Sequence, residues 1–301
     1  MKNFIISTDS CVDIFKTTLE KNNVHCLVMK RALDGKEIGE LFDSEREYDA
    51  FYDTLKKGAK PTTIALNPYE HEEHFKRILE AEPAGDIIHV PLSSGLSVTC
   101  ENAQKVAAEI NKTLTNRKIY IIDSLIASQG MAMLVEELIA MRDAGKTADE
   151  AVKRVTELRD NLHSWIIMSD LFHLKRGGRI SGVKATIGTI LNIKPIIIVN
   201  KRGRLVIENR MRGGAGAINY VLSKIETLGE HAKPDFFEQT LYFSRTSDSP
   251  LYDELIAAAK KKYPDIKIKR GIIGPIIGTH LGCGAAIVFF EGAKRLDISD
   301  K

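Results

Sequence analysis

The first half of the chain alternates short apolar runs with longer amphipathic stretches, and few folds accommodate that rhythm. Residues 3–8, 24–32, 86–90 and 118–122 read as strands. Residues 12–22, 68–81, 98–112 and 129–144 carry helical spacing. Residues 86–90 and 118–122 read as buried strands, and the alternation points to a parallel sheet covered by helices on both faces. The βαβα order predicts an α/β domain with a Rossmann-like three-layer parallel sheet, whose ligands sit at the carboxyl ends of the strands. Asp34-Gly35 is a hairpin-turn signal before a strand at 36–38. Residues 44–57 space Tyr48, Phe51, Tyr52 and Leu55 along one helix side, with Gly58 as the stop.

The second half reads differently. A capped helix at 147–162 leads into a strand at 163–169 and an apolar helix at 183–192. Strands at 194–199 and 204–209 form a hairpin over Lys201-Arg202-Gly203. A helix (217–228), a strand (240–244), a helix (251–263), a strand (265–270) and a last strand (285–290) follow. Hairpin and crossover connections together predict a C-terminal α+β domain with a mixed sheet. The 301 residues suit two cores, and the expected domains are 1–160 and 161–301.

No apolar run approaches the roughly 20 residues that cross a bilayer, so stable membrane insertion is not expected. The N-terminus enters a strand-like segment without the features of a secretory signal, and a cytoplasmic location is expected. Cys11, Cys26, Cys100 and Cys283 lack C-x-x-C spacing and read as free thiols. A net charge of +3 with both signs mixed gives no expectation of nucleic acid. One region breaks the mixing: between Leu171 and Arg212 ten Lys and Arg face a single acid, Glu208. That is either a solvated face or a surface for an anionic group or acidic partner.

Four segments carry chemistry. Gly274-Pro275-Ile276-Ile277-Gly278-Thr279-His280-Leu281-Gly282-Cys283-Gly284 sets a Thr-His pair between glycines, ahead of the last strand. Ser93-Ser94-Gly95-Leu96-Ser97 lies between strand and helix, where it is either an N-cap through Ser97 or a seat for an anion. Thr62-Thr63 either begins a turn or offers hydroxyls to a ligand. Leu174-Lys175-Arg176-Gly177-Gly178-Arg179-Ile180-Ser181 is either a glycine C-cap with basic residues at the helix end or a ligand contact. His71-Glu72-Glu73-His74 is not H-E-x-x-H, and in so charged a run it predicts an exposed helix face; no metal is expected. Gly213, Gly214 and Gly216 lack dinucleotide spacing, and no P-loop is present. Ser94, Asp123 and His280 occur in the order of α/β-hydrolase triads. However, Leu92 stands where the nucleophile elbow needs glycine.

Together with the opening Ile5-Ile6-Ser7-Thr8-Asp9-Ser10, these segments resemble the DegV family, bacterial proteins that bind a fatty acid. The resemblance implies a DegV-like pair of domains with the lipid carboxylate held at the domain interface. Thr63, Ser93, Ser94, Arg179, Thr279 and His280 would serve as carboxylate contacts. The family's Thr-Ser-Gln-Pro-Ser segment is here Thr63-Ile64-Ala65-Leu66-Asn67, so only the threonine matches. Arg212 matches a basic position associated with the head group and a partner kinase. The basic residues that often follow it are replaced by Gly213-Gly214-Ala215-Gly216.

The expected protein is therefore a carrier and not an enzyme. It would bind a long-chain fatty acid such as palmitate, stearate or oleate, with no cofactor. It would present that lipid to a fatty acid kinase catalytic subunit, which makes the acyl phosphate. The acyl tail would enter a hydrophobic tunnel in the C-terminal domain, with Ile187, Ile190, Leu191 and residues 196–198 either lining it or serving as core. The alternatives are a binding or sensing module for another amphiphile, and a serine hydrolase using Ser94.

Overall fold

The computed structural model describes residues 4–169, 171–181, 192–230 and 239–295. The expected apolar helix at 183–192, with Ile187, Ile190 and Leu191, falls almost entirely outside them. The chain forms two compact units: residues 1–44 with 61–159, and residues 45–60 with 160–301. It is α/β throughout.

The first unit holds strands β1 (Phe4–Asp9), β2 (Val24–Leu27), β3 (Lys30–Leu33), β4 (Lys36–Ile38), β5 (Thr62–Ile64), β6 (Asp86–Val90) and β7 (Ile119–Ile121). Four of them make a wholly parallel sheet in the order β2-β1-β6-β7. Ile5, Ile87 and Ile119 pack against Phe75 and Ile78 of the helix Pro68–Ala81 and against Ala103 and Ala107 of the helix Thr99–Asn111. Phe4, Ile6 and Ile88 alternate with them and are also fully buried. Helix Gln129–Asp143 packs on β1 and β6, so both faces are covered.

The expected strand at 24–32 is in fact two. The chain leaves the parallel sheet after Leu27, where the Met29 N–H donates to Ser10 Oγ at 3.0 Å. It then joins an antiparallel sheet in the order β4-β3-β5. Asp34 and Gly35 turn that hairpin with φ of 51° and 76°, the left-handed pair such a turn requires. Thr62-Thr63 is strand and not turn, because Arg31 and Ala32 supply its ladder partners. The helix expected at 12–22 is shortened to Lys16–Lys21 by a left-handed Asp13.

The histidines of Pro68–Ala81 do not form an exposed face. His71 is 0% and His74 5% exposed, on the side that also buries Phe75 and Ile78. Ser7 of β1 makes this possible: its hydroxyl lies 2.7 Å from His74 Nε2 and 2.8 Å from His89 Nδ1. Those bonds serve His74 and His89, whereas His71 packs its ring against Phe75 and His89.

The second unit holds β8 (Leu162–Ile167), β9 (Ile180–Ser181), β10 (Ile193–Val199), β11 (Leu205–Arg212), β12 (Thr240–Arg245), β13 (Lys267–Ile272) and β14 (Ala286–Glu291). They form one mixed sheet in the order β13-β12-β14-β8-β10-β11-β9. Trp165, Ile167, Ile196, Ile198, Phe243 and Val288 meet the helices Gly213–Glu230 and Pro250–Lys262 in its main core. The helix Glu45–Lys56 belongs to this unit and buries the four residues its spacing predicts. Its Tyr52 hydroxyl donates to the Ile273 carbonyl at 2.7 Å, and Arg245 donates to Asp49 at 2.8 Å.

Burial pushes His71 down to about 4, His74 to about 3, His163 to about 4 and His89 well below its usual range. The unfolded chain would take up protons at these positions near pH 6.5 while the folded chain refuses them. Stability is therefore full above that pH and falls as pH drops below it. Asp9, raised to about 6 by burial, opposes this by one proton. Thermal melts should show a midpoint that falls between about pH 7 and pH 5, with a shallower slope in His71→Phe. A flat profile would contradict the assignment.

Candidate functional site

In the order β2-β1-β6-β7 the chain runs outward in opposite directions from β1 and β6, so the sheet's switch point lies between them. Asp9 closes β1 there. Its carboxylate accepts the Cys11 N–H at 2.9 Å and, from the loop after β6, the Leu92 N–H at 2.6 Å. Burial raises its pKa to about 6 against the lowering effect of those bonds. Sequence reading quoted Asp9 but gave it no role; its only signal was an acid at the end of an apolar strand.

Ser93 and Ser94 follow at the same edge. Ser93 is fully buried, and its Oγ accepts the Gly95 N–H at 3.1 Å. Ser94 donates twice to Asp123, from N–H at 3.0 Å and from Oγ at 2.5 Å. Asp123 also accepts the Leu125 N–H, so the loops after β6 and β7 are clasped together. The Ser94 proton thus goes directly to a carboxylate. A hydrolytic triad needs an imidazole in that place. Ser97 Oγ accepts the Thr99 N–H at the helix start. Thr63 is half-buried in β5 opposite Arg31 of β3.

The other candidates lie in the second unit. The Thr-His pair, expected on a glycine-bounded loop, is on a short helix, Pro275–Leu281, with proline at its first position and Gly282 left-handed at its end. This helix packs against Phe172–Gly177, which ends in a left-handed Gly178. Two glycines make the approach possible. A Cβ on Gly177 would collide with the His280 ring, and one on Gly282 with the His173 ring.

Burial, then the guanidinium groups of Arg179 and Arg176, hold His280 down to about 4, so the imidazole is neutral near pH 7. Arg179 is exposed and donates to the Gly177 carbonyl at 2.6 Å. Arg176, part of the expected basic segment but not among the expected carboxylate contacts, reaches the Thr279 carbonyl at 3.5 Å and lies 3.3 Å from His173 Nδ1. Thr279 is buried and its hydroxyl donates to the Pro275 carbonyl at 2.8 Å. The structure thus gathers Arg176, Arg179, Thr279 and His280 on one helix pair. Arg212 is exposed at the end of β11, paired in register with Ile193. Among the described residues, no group of three or more His, Cys, Asp or Glu could hold a metal ion, and no helix is long and apolar enough to cross a membrane.

Comparison with known proteins places the chain in a family. The profile described as "Uncharacterised protein, DegV family" matches residues 3–292. A DegV domain-containing protein of Clostridium perfringens is 31% identical over 295 residues, which cover 98% of this chain and 99% of that one. Among solved structures, a fatty-acid-binding DegV family protein from Thermus thermophilus matches with a TM-score of 0.81 at 22% identity, covering 96% of this chain and 99% of its own. DegV of Bacillus subtilis, described as a fatty acid binding protein, matches with a TM-score of 0.79 at 24% identity, over 97% and 100%. A stearic-acid-binding protein from Eubacterium ventriosum matches with a TM-score of 0.80 at 18% identity, over 96% and 98%. Matched almost from end to end by the family profile and by a relative of this similarity, the chain is a member of the DegV family.

Proposed function

We propose that this protein is a carrier for a long-chain fatty acid such as palmitate, stearate or oleate. The reading is carried by its whole-length likeness to DegV proteins whose structures are described with fatty acids, stearic and heptadecanoic acid among them. The energetics are favourable. Each buried methylene contributes about 0.8 kcal/mol, so a 16-carbon tail offers on the order of 12 kcal/mol before association costs. The carboxylate needs donors, since burying it unpaired is costly.

Arg179 and His280 are the leading donors: one carries a fixed charge, and the other is a neutral imidazole with an N–H to give. Thr63 and Ser93 supplement them. The hydroxyls of Ser94 and Thr279 already donate, to Asp123 and Pro275, and serve a carboxylate only after rotating. In this reading the protein is the binding subunit, and a separate ATP-dependent kinase phosphorylates the presented carboxylate. Arg212 and the basic residues from Lys175 onward meet that kinase and offset the charge of the acyl phosphate. The serine hydrolase reading is disfavoured by the direct Ser94–Asp123 bond.

Native mass spectrometry of gently purified protein should show an added mass matching palmitate, stearate or oleate. Its absence, with no uptake of added oleate after delipidation, would sink the carrier reading. Arg179→Ala and His280→Ala should each weaken oleate binding by about tenfold to a hundredfold, the worth of a charge-assisted or buried hydrogen bond. Gly177→Ala touches no ligand yet pushes on the His280 ring; it should cost about 1–3 kcal/mol of stability and weaken oleate binding as well. Arg212→Ala should leave oleate binding intact and slow acyl phosphate formation with added kinase. Equal phosphorylation by both forms would remove Arg212 from that role.

A further inference from the structure

The helix Glu45–Lys56 lies between β4 and β5 in sequence, yet it belongs to the second unit and packs against the short helix that carries His280. It holds that helix at three places. Ahead of it, the Tyr52 hydroxyl donates to the Ile273 carbonyl at 2.7 Å. In its middle stands Gly278, where a Cβ would collide with the Tyr52 hydroxyl and crowd the Phe51 ring. Beyond its end, the Cys283 thiol donates to the Tyr52 carbonyl at 3.8 Å. Tyr52 is fully buried and takes part in all three.

The holder is itself fixed. Arg245, the last residue of β12, donates to Asp49 at 2.8 Å and to Glu45 at 3.5 Å. Its carbonyl accepts the Ile273 N–H at 2.9 Å. Ile273 is therefore bound through its N–H by β12 and through its carbonyl by Tyr52. Phe51 and Tyr52 meet edge to face with ring centroids 5.1 Å apart, so a shift of one ring is felt by the other.

Gly278 and His280 are two residues apart, about 200° around a helix. The helix Pro275–Leu281 thus turns Gly278 toward Tyr52 and, on its far side, His280 toward Gly177. Both contacts fall on glycines where even a methyl group would not fit. Close-packed interiors pass a displacement on instead of absorbing it. Whatever moves Tyr52 therefore moves the imidazole relative to Arg179 and Arg176, the two cations beside it.

We propose that Tyr52 is a positioning residue for His280, setting where its imidazole meets the carboxylate of the bound lipid. It acts through the helix between them and not by touching the lipid. The inference rests on the carrier reading, in which His280 donates to that carboxylate.

The test is calorimetric titration of the delipidated full chain with oleate. Tyr52→Phe, which keeps the ring and loses the hydroxyl, should bind about threefold to tenfold more weakly. The same change made in His280→Gln should cost nothing further, because no imidazole is left to place. A purely structural part for Tyr52 gives equal weakening in both backgrounds. Gly278→Ala should weaken binding about tenfold or more. Adding Tyr52→Phe to it should restore part of that loss, since the hydroxyl that the new methyl group meets is gone. In the lipid-free protein, the imidazole NMR signals of His280, identified by their loss in His280→Gln, should shift in Tyr52→Phe while those of His163 stay. Circular dichroism checks folding, and if Tyr52→Phe does not fold, Gly278→Ala in the two His280 backgrounds decides. Unchanged affinity in Tyr52→Phe, equal weakening in both backgrounds, or unmoved His280 signals each overturns the proposal and leaves the carrier reading standing. No uptake of oleate by the unaltered chain removes the carrier reading, and this proposal with it.

Discussion

Where buried parallel strands end, their backbone N–H groups leave the ladder with neither sheet nor water to satisfy them, and in the first unit a single carboxylate resolves this. Asp9 takes the Cys11 and Leu92 N–H groups and so joins the end of β1 to the loop that follows β6. Asp123 repeats the device one strand further on, receiving three groups from Ser94 and Leu125. Ser94 is positioned by Asp123 and not by helix capping. Asp9 itself is fully buried, and that burial raises its pKa to about 6.

The second unit solves a different problem, bringing a neutral imidazole and guanidinium groups close together. Gly177 and Gly282 remove the side chains that would hold two short helices apart, and each admits a histidine ring from the other segment. Burial then keeps His280 uncharged, so that Arg176 and Arg179 face no imidazolium beside them. Such a group can donate to an anion without adding a cation of its own that must be desolvated.

Much of the scaffold was legible in the sequence because its signals are local. Uniformly apolar runs gave the parallel strands of the first unit, and helical spacing placed Tyr48, Phe51, Tyr52 and Leu55 on one buried side. Asp34-Gly35 announced its hairpin because only a residue pair tolerant of positive φ makes that turn. The errors share a cause as well. His71 and His74 looked solvated among acids, yet Ser7, 67 residues from His74, supplies the hydrogen bond that lets His74 be buried, and the ring of His89 packs against His71. Thr62-Thr63 became strand because Arg31 and Ala32 pair with it. In each case the deciding partner is remote in sequence, where no periodicity reaches.

The candidate site divides along the same line. Residue types and glycine spacing by themselves singled out the candidate side chains: the paired serines, the Thr-His pair, the basic run ending in Arg179. Periodicity determined the strands and helices that bear them. Only the tertiary structure decided that Asp123 holds Ser94, that Arg176 stands beside Arg179 at His280, and that Glu45–Lys56 anchors its Tyr52 hydroxyl on Ile273, 221 residues away. The physical reason is that backbone preference and hydrophobic spacing act over a few residues, whereas burial, hydrogen-bond partnership and pKa depend on what the fold brings alongside.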